Sequence, residues 1–248
     1  MRKVAKRDGL DLHVLELDVL SDEQVANALA QAEKIAGGPL DVLVNNAGIN
    51  IHGPVEAQDI EATQLSFDTN VYGYLRLFRA ALPGMRSRKS GLIVNVSSQV
   101  GRVMSPNGGI YSATKFAVES MCEQLAYELV THGIDVAIIQ PGGFPTGIGK
   151  SRATLTGALY ERSAKDLEQA YPKAVGGMKP ADAPSATTWP NAPDPMDVPR
   201  AIAEIIAMPA GTRPLRKAVH PGNKPQLEIN RVSREAQLAW LGDSPVGP

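Results

Sequence analysis

The chain has 248 residues, 43% apolar and 21% charged, and its 25 Lys and Arg stand against 26 Asp and Glu for a formal net charge of -1. At about 150 residues per domain that is one large domain or two small ones, long enough to bury a core. The balanced charge excludes the general attraction to nucleic acid or an anionic membrane that a basic chain has. Cys122 is the only cysteine, which excludes an intrachain disulfide, and His13, His52, His132 and His220 stand too far apart in sequence to make a metal-ligand spacing. The basic N-terminus is followed by no apolar run of signal length, and no stretch reaches the about 18 apolar residues needed to span a bilayer. The expectation is a soluble, cytoplasmic protein without a metal.

In chain order, four apolar runs rich in Val, Ile and Leu appear at Leu12 to Leu17, Asp41 to Val44, Leu92 to Val96 and Ile134 to Ile139. Their lack of polar alternation is the pattern of strands buried on both faces, hence of a parallel sheet. Between the first two, Ser21 and Gln24 form a capping box, Val25, Ala28, Leu29, Ala32 and Ile35 follow at helical spacing, and Gly37-Gly38-Pro39 stops the helix. A second helical stretch, about Glu61 to Met85, carries Phe67, Val71, Leu75 and Phe78; a third, Tyr111 to His132, carries Val118, Met121, Leu125 and Leu129 and is closed by Gly133. Strands alternating with helices predict one doubly wound α/β domain, a Rossmann-like parallel sheet spanning residues 1–248.

From Gly143 to Pro195, prolines and Ser/Thr/Gly clusters break the pattern, and the only helical part is near Leu155 to Tyr171. This reads as an insertion over the carboxyl ends of the strands, where substrates are covered. Its Phe144, Leu155, Leu159, Tyr160, Leu167, Tyr171, Met178 and Trp189 suit either an apolar pocket for a hydrophobic alcohol or ketone or the packing of a lid. Asp197 to Met208 predicts an amphipathic helix and Lys217 to His220 a last strand; beyond Pro221 the pattern is weak.

The chemistry concentrates at Tyr111-Ser-Ala-Thr-Lys115. Residues four apart share a helix face. A phenol with a pKa near 10 is a poor acid or base at neutrality, and a neighbouring cation favours its phenolate. On its own the pair is equally an ordinary helix-face contact. Ser98, thirteen residues upstream at the carboxyl end of a strand, stands where open α/β sheets bind ligands and is placed to hold a substrate carbonyl beside the phenol. Asn45-Asn46-Ala47-Gly48 ends the preceding strand in small, polar residues that also suit a plain tight turn.

Together, Asn45-Asn-Ala-Gly48, Asn70 in Asp-Thr-Asn-Val, Ser98 in Val-Ser-Ser, Tyr111-x-x-x-Lys115 and Pro141-Gly142 occur in the order and at the spacings of the short-chain dehydrogenase/reductase family, which the chain resembles from Asp11 to about Thr146. The resemblance implies Tyr111 as general acid/base, Lys115 as the group that lowers its pKa and binds the nicotinamide ribose, Ser98 as the orienter of the substrate oxygen, and Asn70 as the holder of a water linking Lys115 to solvent. It implies an NAD or NADP cofactor. Asp18 and Val19 would meet the adenine, Asn46, Ala47 and Gly48 the adenosine half, and Pro141, Gly142, Phe144 and Thr146 the nicotinamide side. Asn70 is also a plain helix-interrupting hydrogen-bonder, and Asp18 a turn residue before the Ser21 cap. The helices at Glu61–Met85 and Tyr111–His132 would pair with a second subunit, making a homo-oligomer.

One family element has no counterpart. The Thr-Gly-x-x-x-Gly-x-Gly loop that holds pyrophosphate at a helix N-terminus would precede Asp18, where Gly9 is the only glycine. Seventeen residues are too few for a βαβ unit, so the expectation is an amino-terminally truncated chain lacking the first βαβ unit. Leu12 to Leu17 is then expected either displaced from the sheet or paired with Asp41 to Val44. Gly147-Ile-Gly149-Lys150-Ser151 fails the phosphate-loop frame, since Phe144 stands where its first glycine belongs. The leading expectation is an oxidoreductase; the alternative is a non-catalytic relative, defective in cofactor binding, that serves as a binding or oligomerisation module.

Overall fold

The computed structural model describes residues 2–179 and 191–242. Four parallel strands, β1 (Val42–Asn45), β2 (Gly91–Val96), β3 (Ile134–Pro141) and β4 (Arg216–Val219), form a sheet in the order β1-β2-β3-β4. The register sets Asn45 beside Asn95 and Val96 beside Ile139, so β1, β2 and β3 end at one edge. Helices cover both faces, as the unalternated strands require. On one face Ile93, Val136 and Ile138 pack with Val25 and Leu29 of α2 (Asp22–Ala36), Leu77 and Phe78 of α4 (Gly73–Arg88), and Val118 and Leu129 of α5 (Gly109–Leu129). On the other, Leu92, Val94, Ala137 and Ile139 meet Ala201 and Ile205 of α8 (Asp197–Ala207).

Local signals explain the boundaries. The Ser21 hydroxyl accepts the Gln24 N–H at the head of α2, and Gln24 Oε1 accepts from the Asp18 N–H, one turn further out than a capping box reaches. Gly37, at φ 76°, ends the helix in the left-handed region. The long helix expected over Glu61–Met85 is divided into α3 (Ile60–Phe67) and α4 by a π turn at Asp68–Tyr72 that contains Asn70. Such single-turn π interruptions break the hydrogen-bond ladder locally.

The expectation of a strand over Leu12–Leu17 is corrected. The segment joins no strand pair, and Leu12 and Leu17 are 49% and 41% exposed. Of the two expected outcomes for it, displacement is the one observed. Outside the sheet, its apolar side chains do not gain the burial that their sequence pattern suggests. A short helix, α1 (Arg2–Arg7), precedes it.

Within the insertion, α6 (Gly147–Leu159), a following π and 3-10 stretch to Leu167, and α7 (Pro172–Gly176) close over the loop after β1. Leu159, Tyr160, Val175 and Met178 bury against Ile51, Ala57 and Ala62, with Leu155 and Leu167 partly buried beside them. These residues therefore pack the insertion onto the loop after β1. Phe144 instead joins the α8-side cluster and meets the His220 ring edge-on at 5.6 Å, while the Tyr171 hydroxyl donates to Glu56 Oε2 at 2.6 Å. Trp189 lies outside the described residues. The weakly patterned C-terminal part forms α9 (Gln226–Leu241).

Candidate active site

The site is assembled where β1 and β2 end against the first turns of α5 and the π turn. Asn70 is fully buried and holds the loop after β1 from both sides: its Oδ1 accepts the Ile49 N–H at 2.8 Å and its Nδ2 donates to the Ile49 carbonyl at 2.9 Å. Nδ2 also donates to Thr114 Oγ1 at 3.0 Å, which ties the loop to α5. Gly48 lies directly over this contact; a Cβ there would stand 3.2 Å from Asn70 Oδ1 and 3.9 Å from Lys115 Nζ. The glycine thus leaves a surface free of side chain beside the ammonium.

Lys115 is 4% exposed and donates from Nζ to the Val96 carbonyl at 2.9 Å. Val96 is the last residue of β2, and the same carbonyl accepts from the Tyr74 hydroxyl at 3.0 Å. The ammonium lies 5.8 Å from the ring centres of both Tyr74 and Tyr111. Burial lowers the Lys115 pKa to about 8, partly offset by the neighbouring Cys122 and Glu119 groups.

Ser98 caps the 3-10 turn Gln99–Gly101, its hydroxyl accepting the Val100 N–H at 3.3 Å and donating to the Pro141 carbonyl at 3.4 Å. Burial dominates at Tyr111 and pushes the phenol up to about 12, with the neighbouring Ser98 acting in the opposite direction. Here the expected lowering by Lys115 is corrected. In this structure the ammonium is turned to the Val96 carbonyl rather than to the phenolic oxygen, so removal from water outweighs it.

Ser98, Tyr111, Lys115, Asn70 and Gly48 are thus brought together, with Pro141 behind Ser98 and Gly142 following it, its N–H donating to the Val219 carbonyl at 3.0 Å. Asn46 and Ala47 are exposed in the loop after β1, and Thr146 is exposed at the head of α6. Asp18 and Val19 have a structural place at the entry to α2. Asp18 Oδ1 accepts from the Leu20 N–H, and the Val19 carbonyl accepts from Arg76 Nη1 at 3.0 Å. Two site residues escaped the sequence reading, Thr114 and Tyr74. The signal was there for Tyr74, which follows Asn70 by four and shares its face.

Gly101 controls how closely the Ser98 turn approaches α5. A Cβ there would stand 2.8 Å from Ser97 Oγ, 3.0 Å from Glu119 Cγ and 3.0 Å from the Lys115 carbonyl oxygen. Gly101→Ala is therefore expected to cost about 1–3 kcal/mol of stability and to displace Ser98, read as a fall in the urea midpoint together with a lower kcat.

The short chain dehydrogenase family model matches residues 1–155. Retinol dehydrogenase 8 of Bos taurus is 34% identical over 233 residues, covering 93% of this chain and 71% of that protein. The crystal structure of a short-chain dehydrogenase from Streptomyces avermitilis superposes with a TM-score of 0.68 at 28% identity, over 96% of this chain and 81% of the other. A gluconate 5-dehydrogenase from Burkholderia cenocepacia, solved in complex with NADP and tartrate, superposes with a TM-score of 0.56 at 26% identity, over 64% of each chain.

Proposed function

Because the chain belongs to the short-chain dehydrogenase family, we propose that it is an NAD(P)-dependent oxidoreductase that interconverts a hydrophobic alcohol and its carbonyl compound. The observation that carries this reading is the convergence of Ser98, Tyr111 and Lys115 at the carboxyl edge of the sheet, in reach of the side-chain-free surface at Gly48. That surface and the neighbouring ammonium fit the nicotinamide ribose; the Thr-Gly-x-x-x-Gly-x-Gly pattern that would hold pyrophosphate does not occur in the chain. When bound, the cofactor supplies or accepts the hydride.

The chain's own residues manage the oxygen and its proton. Ser98 donates to the substrate carbonyl oxygen and fixes it beside the phenol. Tyr111 gives its proton to that oxygen as negative charge develops, and takes it back from the hydroxyl in the reverse direction. Lys115, held by the Val96 carbonyl, stabilises the phenolate that results. Asn70, through Ile49 and Thr114, keeps the loop carrying Gly48 against α5.

The pH dependence follows. Reduction needs a protonated phenol and a charged ammonium. With Tyr111 near 12, the phenol stays protonated across the working range, and Lys115, near 8, loses its charge as pH rises. Reductive kcat/KM is expected to be level below pH 8 and to fall above it; a profile flat through the unperturbed lysine range near 10 contradicts this assignment.

The substrate reading draws on the retinol dehydrogenase relative. The purified chain is mixed with NADH or NADPH and all-trans-retinal while nicotinamide absorbance is followed. Retinal-dependent loss of absorbance supports the reading, and cofactor binding without turnover on a panel of apolar aldehydes and ketones refutes the hydrophobic-substrate part. If neither cofactor binds at millimolar concentration, the chain is a non-catalytic member of the family. We further infer self-association through the groove between α4 and α5, where the exposed Leu75 stands beside the partly buried Met121 and Leu125. Light scattering is expected to give a dimer or larger that Leu75→Glu dissociates.

A further inference from the structure

Helix α9 turns polar residues toward the body of the protein. Gln226, Asn230 and Ser233 share one side of it, with Gln226 wholly buried, while Leu227, Ile229, Val232 and Trp240 are exposed. The inward residues meet a buried polar network. Gln226 Nε2 donates to the Gln140 carbonyl at 3.3 Å, Asn230 Nδ2 donates to Gln140 Oε1 at 2.7 Å, and Gln140 Nε2 donates to Glu119 Oε1 at 2.9 Å. Arg216 of β4 closes the network, its Nε 2.8 Å from Glu119 Oε2 and its Nη2 2.6 Å from Glu123 Oε2.

The Glu119 side chain is 2% exposed. An ionised carboxylate at such a place is costly to desolvate, and an apolar side chain of similar volume serves packing as well or better. Glu119 follows Lys115 by four residues on α5, so the two buried groups share a helix face. Gly101 packs against both residues, at Glu119 Cγ and the Lys115 backbone carbonyl. The other groups facing Lys115 are the neutral rings of Tyr74 and Tyr111, the Val96 carbonyl, and the Cys122 thiol, which burial holds protonated. Those facing Glu119 are Arg216, Gln140, Arg102 and Cys122. Glu119 is therefore the anionic neighbour of Lys115.

We propose that Glu119 is a positioning residue for Lys115: its buried carboxylate, fixed by Arg216, Gln140 and the inward polar side of α9, keeps the Lys115 ammonium charged and in place beside Tyr111. The C-terminal helix thereby acts on the site without touching it. This rests on the role given to Lys115 above.

The test reads Lys115 itself. Side-chain ammonium NMR of the folded chain, with the signal assigned through Lys115→Met, gives its titration without turnover, so a chain that reduces no carbonyl still decides the question. Glu119→Gln is expected to move the titration about one unit toward acid, and Glu119→Asp to restore most of it. A midpoint unchanged in folded Glu119→Gln overturns the proposal, because a purely structural role lowers the melting temperature and leaves Lys115 alone. If Glu119→Gln does not fold, Asn230→Ala, which loosens Gln140 from α9, supplies the same reading: a smaller acid shift supports the proposal and an unchanged midpoint overturns it.

Discussion

Tyr111→Phe is expected to lower kcat for carbonyl reduction by about 10²–10⁴-fold, the range a positioned general acid contributes. The size of the effect follows from what else the site contains. Ser98 can donate to a carbonyl oxygen, but its hydroxyl has no base behind it to replace the proton, and its other contacts are the Val100 N–H and the Pro141 carbonyl. Lys115 is turned to the Val96 carbonyl. Among the described residues, no second acid therefore stands ready to take over. Binding of NADH or NADPH and the thermal midpoint should change little, because the substitution removes the hydroxyl and keeps the ring. A variant that loses cofactor binding together with turnover would mean that the ring is a structural wedge and the proton comes from elsewhere.

The largest effect on stability is expected at Arg216. Its side chain is 10% exposed and its guanidinium bridges Glu119 and Glu123, linking β4 to α5. Arg216→Met keeps the aliphatic length and removes the charge, leaving the Glu119 carboxylate with Gln140 and Arg102 as its remaining polar neighbours. Removing one member of a buried pair typically costs about 3–5 kcal/mol, since the orphaned charge stays desolvated. For a chain of this size that lowers the thermal midpoint on the order of 10 °C. The Glu123 carboxyl, which Arg216 and Tyr127 hold below its ordinary range, should titrate at higher pH in the variant. The added loss on acidification is then smaller than in the parent, because less of the parent's carboxylate stabilisation remains to be lost as pH falls. A midpoint within about 2 °C of the parent would mean that the Arg216 bridge contributes little net stability.

Much of this was legible in the residues. Unalternated Val, Ile and Leu gave three of the four strands, because burial on both faces leaves that imprint directly. Ser21, Gly37 and Gly133 marked helix ends by their own backbone chemistry. Leu12–Leu17 carries the same imprint and is not a strand: composition records what a segment can bury, and pairing depends on a neighbour that composition does not contain. The division of the Glu61–Met85 stretch escaped for a different reason, since the π turn coincides with bonds that Asn70 makes to Ile49 and Thr114, residues distant in sequence. Helix α9 was missed because its inward side is polar, the reverse of the amphipathic signal by which helices are read. At the site, the Tyr111–Lys115 spacing predicted a shared face, and the shared face exists; the direction of the Tyr111 shift was not readable, because it turns on how much water the fold removes and on where the ammonium points.

The central claim is that this chain's Ser98, Tyr111 and Lys115 serve a hydride transfer. It is tested most directly by incubating the chain with NADPH or NADH doubly deuterated at the nicotinamide C4 and with all-trans-retinal, then examining the product alcohol by mass spectrometry. The account predicts one deuterium on the carbinol carbon, formed by the parent chain and not by Tyr111→Phe. Unlabelled alcohol, or the same labelled yield from both proteins, would contradict it.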